Sequence, residues 1–128
     1  NQYLLTTTKH EFDWDRTYFV HTPTKKHQNL RQINELPDVK LVSDLKCVPV
    51  GEKMELTMEV ENPSPNLALS VELMILDAGS GNFIAPVYLD DNYFSLLPGE
   101  KRSVSGYCYL SDLESTSMKL KVSGVNIK

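Results

Sequence analysis

Asp90 and Asp91 are adjacent carboxylates of the kind that acid/base chemistry uses. On an extended strand neighbouring side chains point to opposite faces, so the two cannot work as one pair without a turn between them. Sugar-cleaving pairs need carboxyl groups about 5–5.5 Å apart for retention or about 6.5–9.5 Å for inversion, flanking the bound sugar. A turn at Asp91-Asn92 would redirect them. The simpler reading is that Asp91 and Asn92 bond their own backbone to hold that turn. His10, Glu11, Asp13 and Asp15, with His21 and His27 further along, carry metal-ligand atom types. No fixed-geometry spacing such as HExxH joins them, so solvated side chains are expected and neither metal nor other cofactor is called for. The serines lack a GxSxG elbow, and Cys47 and Cys108 have no recognisable histidine partner. The cysteines can pair or stay free; both fall on an apolar parity, which favours a small buried role. The aromatic residues are stronger candidates. Tyr107 and Tyr109 lie on the parity opposite Val104 and Cys108 and so face outward, while Tyr88, Tyr93 and Phe94 cluster around Asp90-Asp91. Such rings can stack on sugars or bury against a neighbouring domain.

The elements that position these residues must fit in 128 residues, 41% hydrophobic and 23% charged, with a net charge of −4. That is one domain with a real core, too short for a (β/α)₈ barrel, which needs about 200 residues or more. Residues 1–31 carry a net charge of +2 against −6 for the rest, and Lys25, Lys26 and Arg31 cluster there. Nucleic-acid binding needs a concentrated cationic face, and three solvated charges do not supply one. No apolar run approaches about 18 residues, and the N-terminal residues lack the zones of a signal peptide, so no membrane span is expected.

From residue 39 onward the pattern is that of strands and turns. Met54, Leu56, Met58 and Val60 alternate strictly with Lys53, Glu55, Thr57, Glu59 and Glu61, a period of two that places one face on a core. Val39, Leu41, Leu45 and Cys47 repeat this less strictly, and Pro49-Val50-Gly51-Glu52 supplies a hairpin turn. Asn62-Pro63-Ser64-Pro65-Asn66 cannot continue a ladder, because proline has no donor. Leu67, Leu69, Val71, Leu73 and Ile75 begin the next strand, with Met74 and Leu76 suggesting cover on both faces of its far end. The glycine-bearing turn of residues 77–82, a strand from Phe83 to Leu89, the turn Leu97-Pro98-Gly99-Glu100, and strands over 101–110 and 118–127 complete the set. Around Gly124 the apolar parity switches, which predicts a bulge in the last strand. Six or seven short strands at this spacing predict an all-β, immunoglobulin-like antiparallel β-sandwich over residues 39–128. The antibody arrangement of a core Trp between paired cysteines is absent, since Trp14 precedes both. Residues 1–38 read as a connector strap. It holds a strand stub at Tyr3-Leu4-Leu5 and a short helix opened by Thr22-Pro23-Thr24, carrying Leu30 and Ile33 and ended by Pro37.

Asn62-Pro63-Ser64, Asn66-Leu67-Ala68, Pro86-Val87 and the run Asp91-Asn92-Tyr93-Phe94-Ser95-Leu96-Leu97-Pro98-Gly99-Glu100 carry a family likeness. Together they resemble the C-terminal immunoglobulin-like domain of glycoside hydrolase family 2 enzymes of the exo-β-D-glucosaminidase and β-mannosidase group. Asp13-Trp14, Thr22-Pro23-Thr24 and the stretch from Leu30 to Pro37 resemble the connector into that domain, and Tyr3-Leu4-Leu5 resembles the closing strand of the sandwich before it. Leu89 stands where the family often has an aromatic residue, so no sugar-stacking role passes to that position.

The resemblance implies an exported multidomain enzyme acting on β-linked glycans, its two catalytic glutamates and its signal lying outside these residues. This chain is then a non-catalytic accessory domain, packed against the catalytic barrel and the neighbouring sandwich domains of the same chain. Tyr88, Asp90, Asp91, Asn92, Tyr93 and Phe94 are the expected interface or active-site-rim loop, with glycan contact possible there. Two rival readings use the same residues differently: a carbohydrate-binding module acting through Tyr107 and Tyr109 or the Tyr88 and Tyr93 region, and a protein-interaction sandwich unconnected with sugars.

Overall fold

The strict alternation of residues 53–61 becomes a nine-residue strand, β4 (Lys53–Glu61), whose Met54, Leu56, Met58 and Val60 are all buried. In the element order of the computed structural model, which describes residues 9–128, it follows β1 (Glu11–Phe12), β2 (Thr24–Lys26) and β3 (Val42–Val50). β5 (Ala68–Asp77), β6 (Tyr88–Leu89), β7 (Phe94–Leu96), β8 (Lys101–Tyr109) and β9 (Met118–Ser123) come after it. The chain divides into two compact units, one ending at Leu36 and the other spanning Pro37–Lys128.

In the second unit a four-stranded antiparallel sheet, β3-β4-β8-β6, and a three-stranded one, β7-β5-β9, enclose one core. The first sheet contributes the inward side of β4 with Val104 and Cys108 of β8; the second contributes Val71, Leu73 and Ile75 of β5 with Phe94 and Leu96 of β7. This is the expected immunoglobulin-like sandwich. β3 and β4 pair through Val50 and Lys53, leaving a two-residue turn in which Gly51 takes φ +59°, the left-handed value that a hairpin glycine supplies without a Cβ clash.

Two buried asparagines tie the turns to the sheets. Asn62, fully buried after β4, donates from Nδ2 to the carbonyls of Asn66 (2.7 Å), Leu96 (3.1 Å) and Leu97 (3.3 Å), and its Oδ1 accepts from the Ser64 amide and hydroxyl. Its own backbone amide donates to the Glu100 carbonyl, and its carbonyl accepts from the Gly99 amide. The two-proline turn and the Leu97-Pro98-Gly99-Glu100 turn are thus one hydrogen-bonded clamp joining the ends of β4, β5, β7 and β8. Asn126 does the same work at the C-terminus, with Oδ1 accepting from the Leu69 amide (2.9 Å) and Nδ2 donating to the carbonyls of Pro37 and Leu67 (2.8 Å each).

Three sequence expectations are corrected. β5 does not keep one parity, because Ser70 takes φ +53° and the β5–β7 register shifts between Ala68 and Val71, so Ala68 rather than Leu67 joins the core. The irregularity near Gly124 ends β9 at Ser123 instead of bulging it. A Cβ there would lie 2.9 Å from the Leu69 and Ser70 carbonyls, so the bare glycine lets the chain cross the distorted part of β5. Phe83 to Leu89 is not one strand: Phe83 bridges Leu76, the Ala85-Pro86 peptide is cis, and only Tyr88–Leu89 pairs with β8.

In the first unit β1 and β2 pair antiparallel around a single-turn 3₁₀ helix, Trp14–Arg16. Asp13 caps that helix by accepting the Arg16 amide at 3.3 Å. Tyr18 and His21 exchange both backbone hydrogen bonds, which holds Phe19 and Val20 out at the tip of a tight hairpin. The expected helix begins later than the threonines imply: Thr24 lies in β2, and the helical turn is a 3₁₀ segment, Arg31–Glu35, without a side-chain cap. It ends with Leu36 extended, as the following Pro37 requires. The stub at Tyr3-Leu4-Leu5 lies outside the described residues.

Candidate functional site

Residues 83–94 leave the three-stranded sheet, add β6 to the four-stranded one, and return as β7. Proline at position 86, lacking a donor, sits where the chain passes between sheets. Asp90 extends the β6–β8 ladder by one step. Its amide donates to the Ser105 carbonyl and its Oδ1 accepts from the Ser105 amide, both at 2.9 Å. Asp91 Oδ2 lies 2.9 Å from Arg102 Nη1, and the same guanidinium reaches Glu100 at 3.5 Å and covers the Phe94 ring at 4.6 Å. Each carboxylate therefore has a structural partner of its own.

Asn92 substitutes its side chain for a missing strand residue. Its Oδ1 accepts from the Leu73 amide at 2.8 Å and its Nδ2 donates to the Leu73 carbonyl at 3.1 Å, so the amide plane continues the β5–β7 ladder. The expectation of a self-bonded turn holds only for the Tyr93 amide, which donates to Asn92 Oδ1 at 3.0 Å. Tyr93 takes φ +58° and is 62% exposed. Its hydroxyl donates to Glu72 Oε1 at 2.8 Å, and the bond to that carboxylate, with its charge, raises the phenol pKa. Phe94, grouped with this loop in the sequence, is instead a core residue of β7, because the Asn92 bonds draw the chain back onto β5.

A second cluster stands on the outward face of the four-stranded sheet. The register places Tyr88 opposite Tyr107, Tyr107 opposite Glu55, and Tyr109 opposite Lys53. Tyr88 and Tyr107 stack with ring centroids 5.0 Å apart, and Tyr109 meets both edge-on. Lys53 Nζ lies 4.0 Å from the Tyr107 centroid, a cation–π contact. An open groove of about 530 Å³ runs beside these rings, lined also by Thr57, Asp90 and Ser105. Tyr107 and Tyr109 do project outward as the parity requires. Lys53, Glu55 and Ser105 escaped sequence reasoning, because only the cross-strand register brings them to the rings.

Both cysteine thiols are free, and burial pushes each thiol pKa up. β4 lies between their strands, so at about 4.8 Å per strand the two Cα atoms are roughly 9.5 Å apart or more, beyond the 7 Å or so that a disulfide spans. Among the described residues no three His, Cys, Asp or Glu side chains converge on a point where a metal ion would fit, and no helix is long and apolar enough to cross a membrane.

The family model described as the exo-β-D-glucosaminidase Ig-fold domain matches residues 19–127. The chain belongs to that family. The exo-β-D-glucosaminidase of Hypocrea jecorina is 30% identical over 132 residues, an alignment covering 100% of this chain and 14% of that protein. That of Arthroderma benhamiae is 27% identical over 128 residues, with the same coverage of each. The fold is also that of part of the exo-chitosanase CsxA of Amycolatopsis orientalis, with a TM-score of 0.84 and 24% identity over 98% of this chain and 15% of that one. The chain thus spans about one seventh of the length of the relatives it matches. What the match shows is an Ig-fold domain of the kind named for exo-β-D-glucosaminidases. The segments that carry the likeness in the sequence are the ones that build this Ig-fold domain's joints, the Asn62 clamp and the Asn92 ladder.

Proposed function

We propose that this Ig-fold domain braces a larger, exported exo-β-D-glucosaminidase acting on β-linked glycans, by packing against the catalytic barrel and neighbouring sandwich domains of the same chain. The observation that carries the reading is the apolar surface of the first unit. Trp14 is 69% exposed, and Phe19 and Val20 are displayed at a hairpin tip, with Phe12 and Tyr18 also exposed. A cluster of large apolar side chains held out by a capped helix and a two-residue hairpin is the signature of a surface that another domain covers. The loop formed by Tyr88, Asp90, Asp91, Asn92 and Tyr93 contributes to the rim of the catalytic cleft, with Tyr93 held outward by Glu72 and Asn92.

The test is made in the full-length enzyme. Trp14→Ala combined with Phe19→Ser lowers the melting temperature and opens the strap to limited proteolysis, while the KM for a small aryl glycoside stays unchanged. Equal stability and equal protease resistance in the variant would refute the packing role.

A further inference from the structure

Tyr107 is flanked on both sides. β8 lies between β4 and β6, so Lys53 reaches its ring from one neighbour and Tyr88 stacks on it from the other. The free apolar surface of the cluster therefore belongs to Tyr88, which is 48% exposed. Beyond the rings the groove is lined by two carboxylates and two hydroxyls, with Leu56 and Leu89 at its floor side and a single cation, Lys53, whose Nζ is turned onto the Tyr107 ring. The Glu55 side chain makes no hydrogen bond or ion pair among the described residues, and Asp90, which also lines the groove, holds the Ser105 amide through Oδ1 alone. Thr57 and Ser105 add hydroxyl groups between the two acids. A volume of about 530 Å³ matches the size of small-ligand sites.

Aromatic carbon against a ligand's C–H face, hydroxyls for its hydroxyls and carboxylates for positive charge are complementary to a sugar bearing an ammonium group. We propose that this groove binds a short segment of a cationic aminoglycan. Its C–H surface lies on Tyr88 and its ammonium groups sit against Glu55 and Asp90. The proposal rests on the glycoside-hydrolase reading above for the kind of glycan, and it assigns this chain a binding role as well as a bracing one.

The experiment is calorimetric and NMR titration of the 128-residue chain with a β-1,4-linked glucosamine hexamer, compared with the N-acetylglucosamine hexamer. The proposal expects saturable binding of the glucosamine hexamer, with amide shifts confined to β4, β6 and β8. It expects weaker binding of the uncharged hexamer. Tyr88→Ala weakens binding by about tenfold, the loss of one aromatic contact surface. Glu55→Gln, on a solvent-facing position that leaves the fold intact, abolishes the preference for the charged hexamer by a similar factor. Absence of saturable binding, equal affinity for the two hexamers, or binding indifferent to Glu55→Gln would each overturn the proposal. None of these results depends on the stability readout that tests packing of the strap, so the two can fail separately.

Discussion

Replacing Asn62 with alanine removes the clamp on which the junction of the two sheets depends. The side chain is fully buried and makes five hydrogen bonds, three donated to backbone carbonyls and two accepted from Ser64. A net hydrogen bond contributes about 1 kcal/mol, and a buried group left without its partner costs about 1–3 kcal/mol. Three carbonyls and the Ser64 amide lose partners together, but those at the turn regain water, so the loss is about 3 kcal/mol. In a domain of this size that lowers the melting temperature by roughly 10–15 °C. Asn62→Asp keeps the acceptor for Ser64 but turns an ionised oxygen toward the Leu96 and Leu97 carbonyls. It is at least as damaging at neutral pH and recovers in part as the carboxyl protonates and becomes a donor. Far-ultraviolet circular dichroism is the assay, because it reads the strands of the sandwich directly. A loss below about 1 kcal/mol for Asn62→Ala would refute the reasoning.

Gly106→Ala puts a Cβ 2.5 Å from the Tyr88 carbonyl oxygen and 2.6 Å from Leu89 Cδ2, so β6 is pushed off β8 at a cost of about 2–3 kcal/mol, read by urea denaturation. Met58→Ala empties a fully buried position of β4 and costs about 3 kcal/mol in the same measurement. Three donors, the Gly79 and Ser80 amides and the Ser80 hydroxyl, meet Asp77 Oδ1, and the two from Ser80 lead in holding its carboxyl below the usual range. Its contribution is therefore present above the ordinary aspartate pKa and lost as pH falls through the lowered folded value, so the stability gap between wild type and Asp77→Asn narrows in acid. For Tyr93 the shift is upward, so its bond to Glu72 stabilises below the ordinary phenol pKa and is lost as pH rises through the raised one. Ultraviolet titration shows a late-titrating phenol that is missing from Tyr93→Phe.

The sandwich was legible wherever one strand face met the core and the other met water. β4 is the plain case, since every second residue from Met54 to Val60 is buried. The reading failed where backbone geometry, and not hydrophobicity, sets the outcome. Serine at position 70 gives no sign of a positive φ, so the parity shift in β5 is invisible, whereas the irregularity at Gly124 shows in the pattern but reads as a bulge and not as the end of β9. The residue types of Tyr88 to Phe94 mark a loop, although Phe94 itself belongs to β7. That Asp90 and Asn92 act as substitute strand residues required knowing which backbone amides, Ser105 and Leu73, would face them. Buried asparagine is likewise ambiguous in a sequence: Asn62 reads as part of a turn, and Asn126 carries no signal at all.

The central claim is that this domain supports chemistry performed elsewhere in a larger chain. The most direct measurement is the rate at which the purified 128-residue chain hydrolyses a chromogenic aryl β-D-glucosaminide, set beside the full-length enzyme. The account predicts a rate for the chain indistinguishable from buffer, at any concentration reached, while the full-length enzyme turns over. Hydrolysis by the chain that scales with its concentration and is abolished by Asp90→Asn or Asp91→Asn would contradict it.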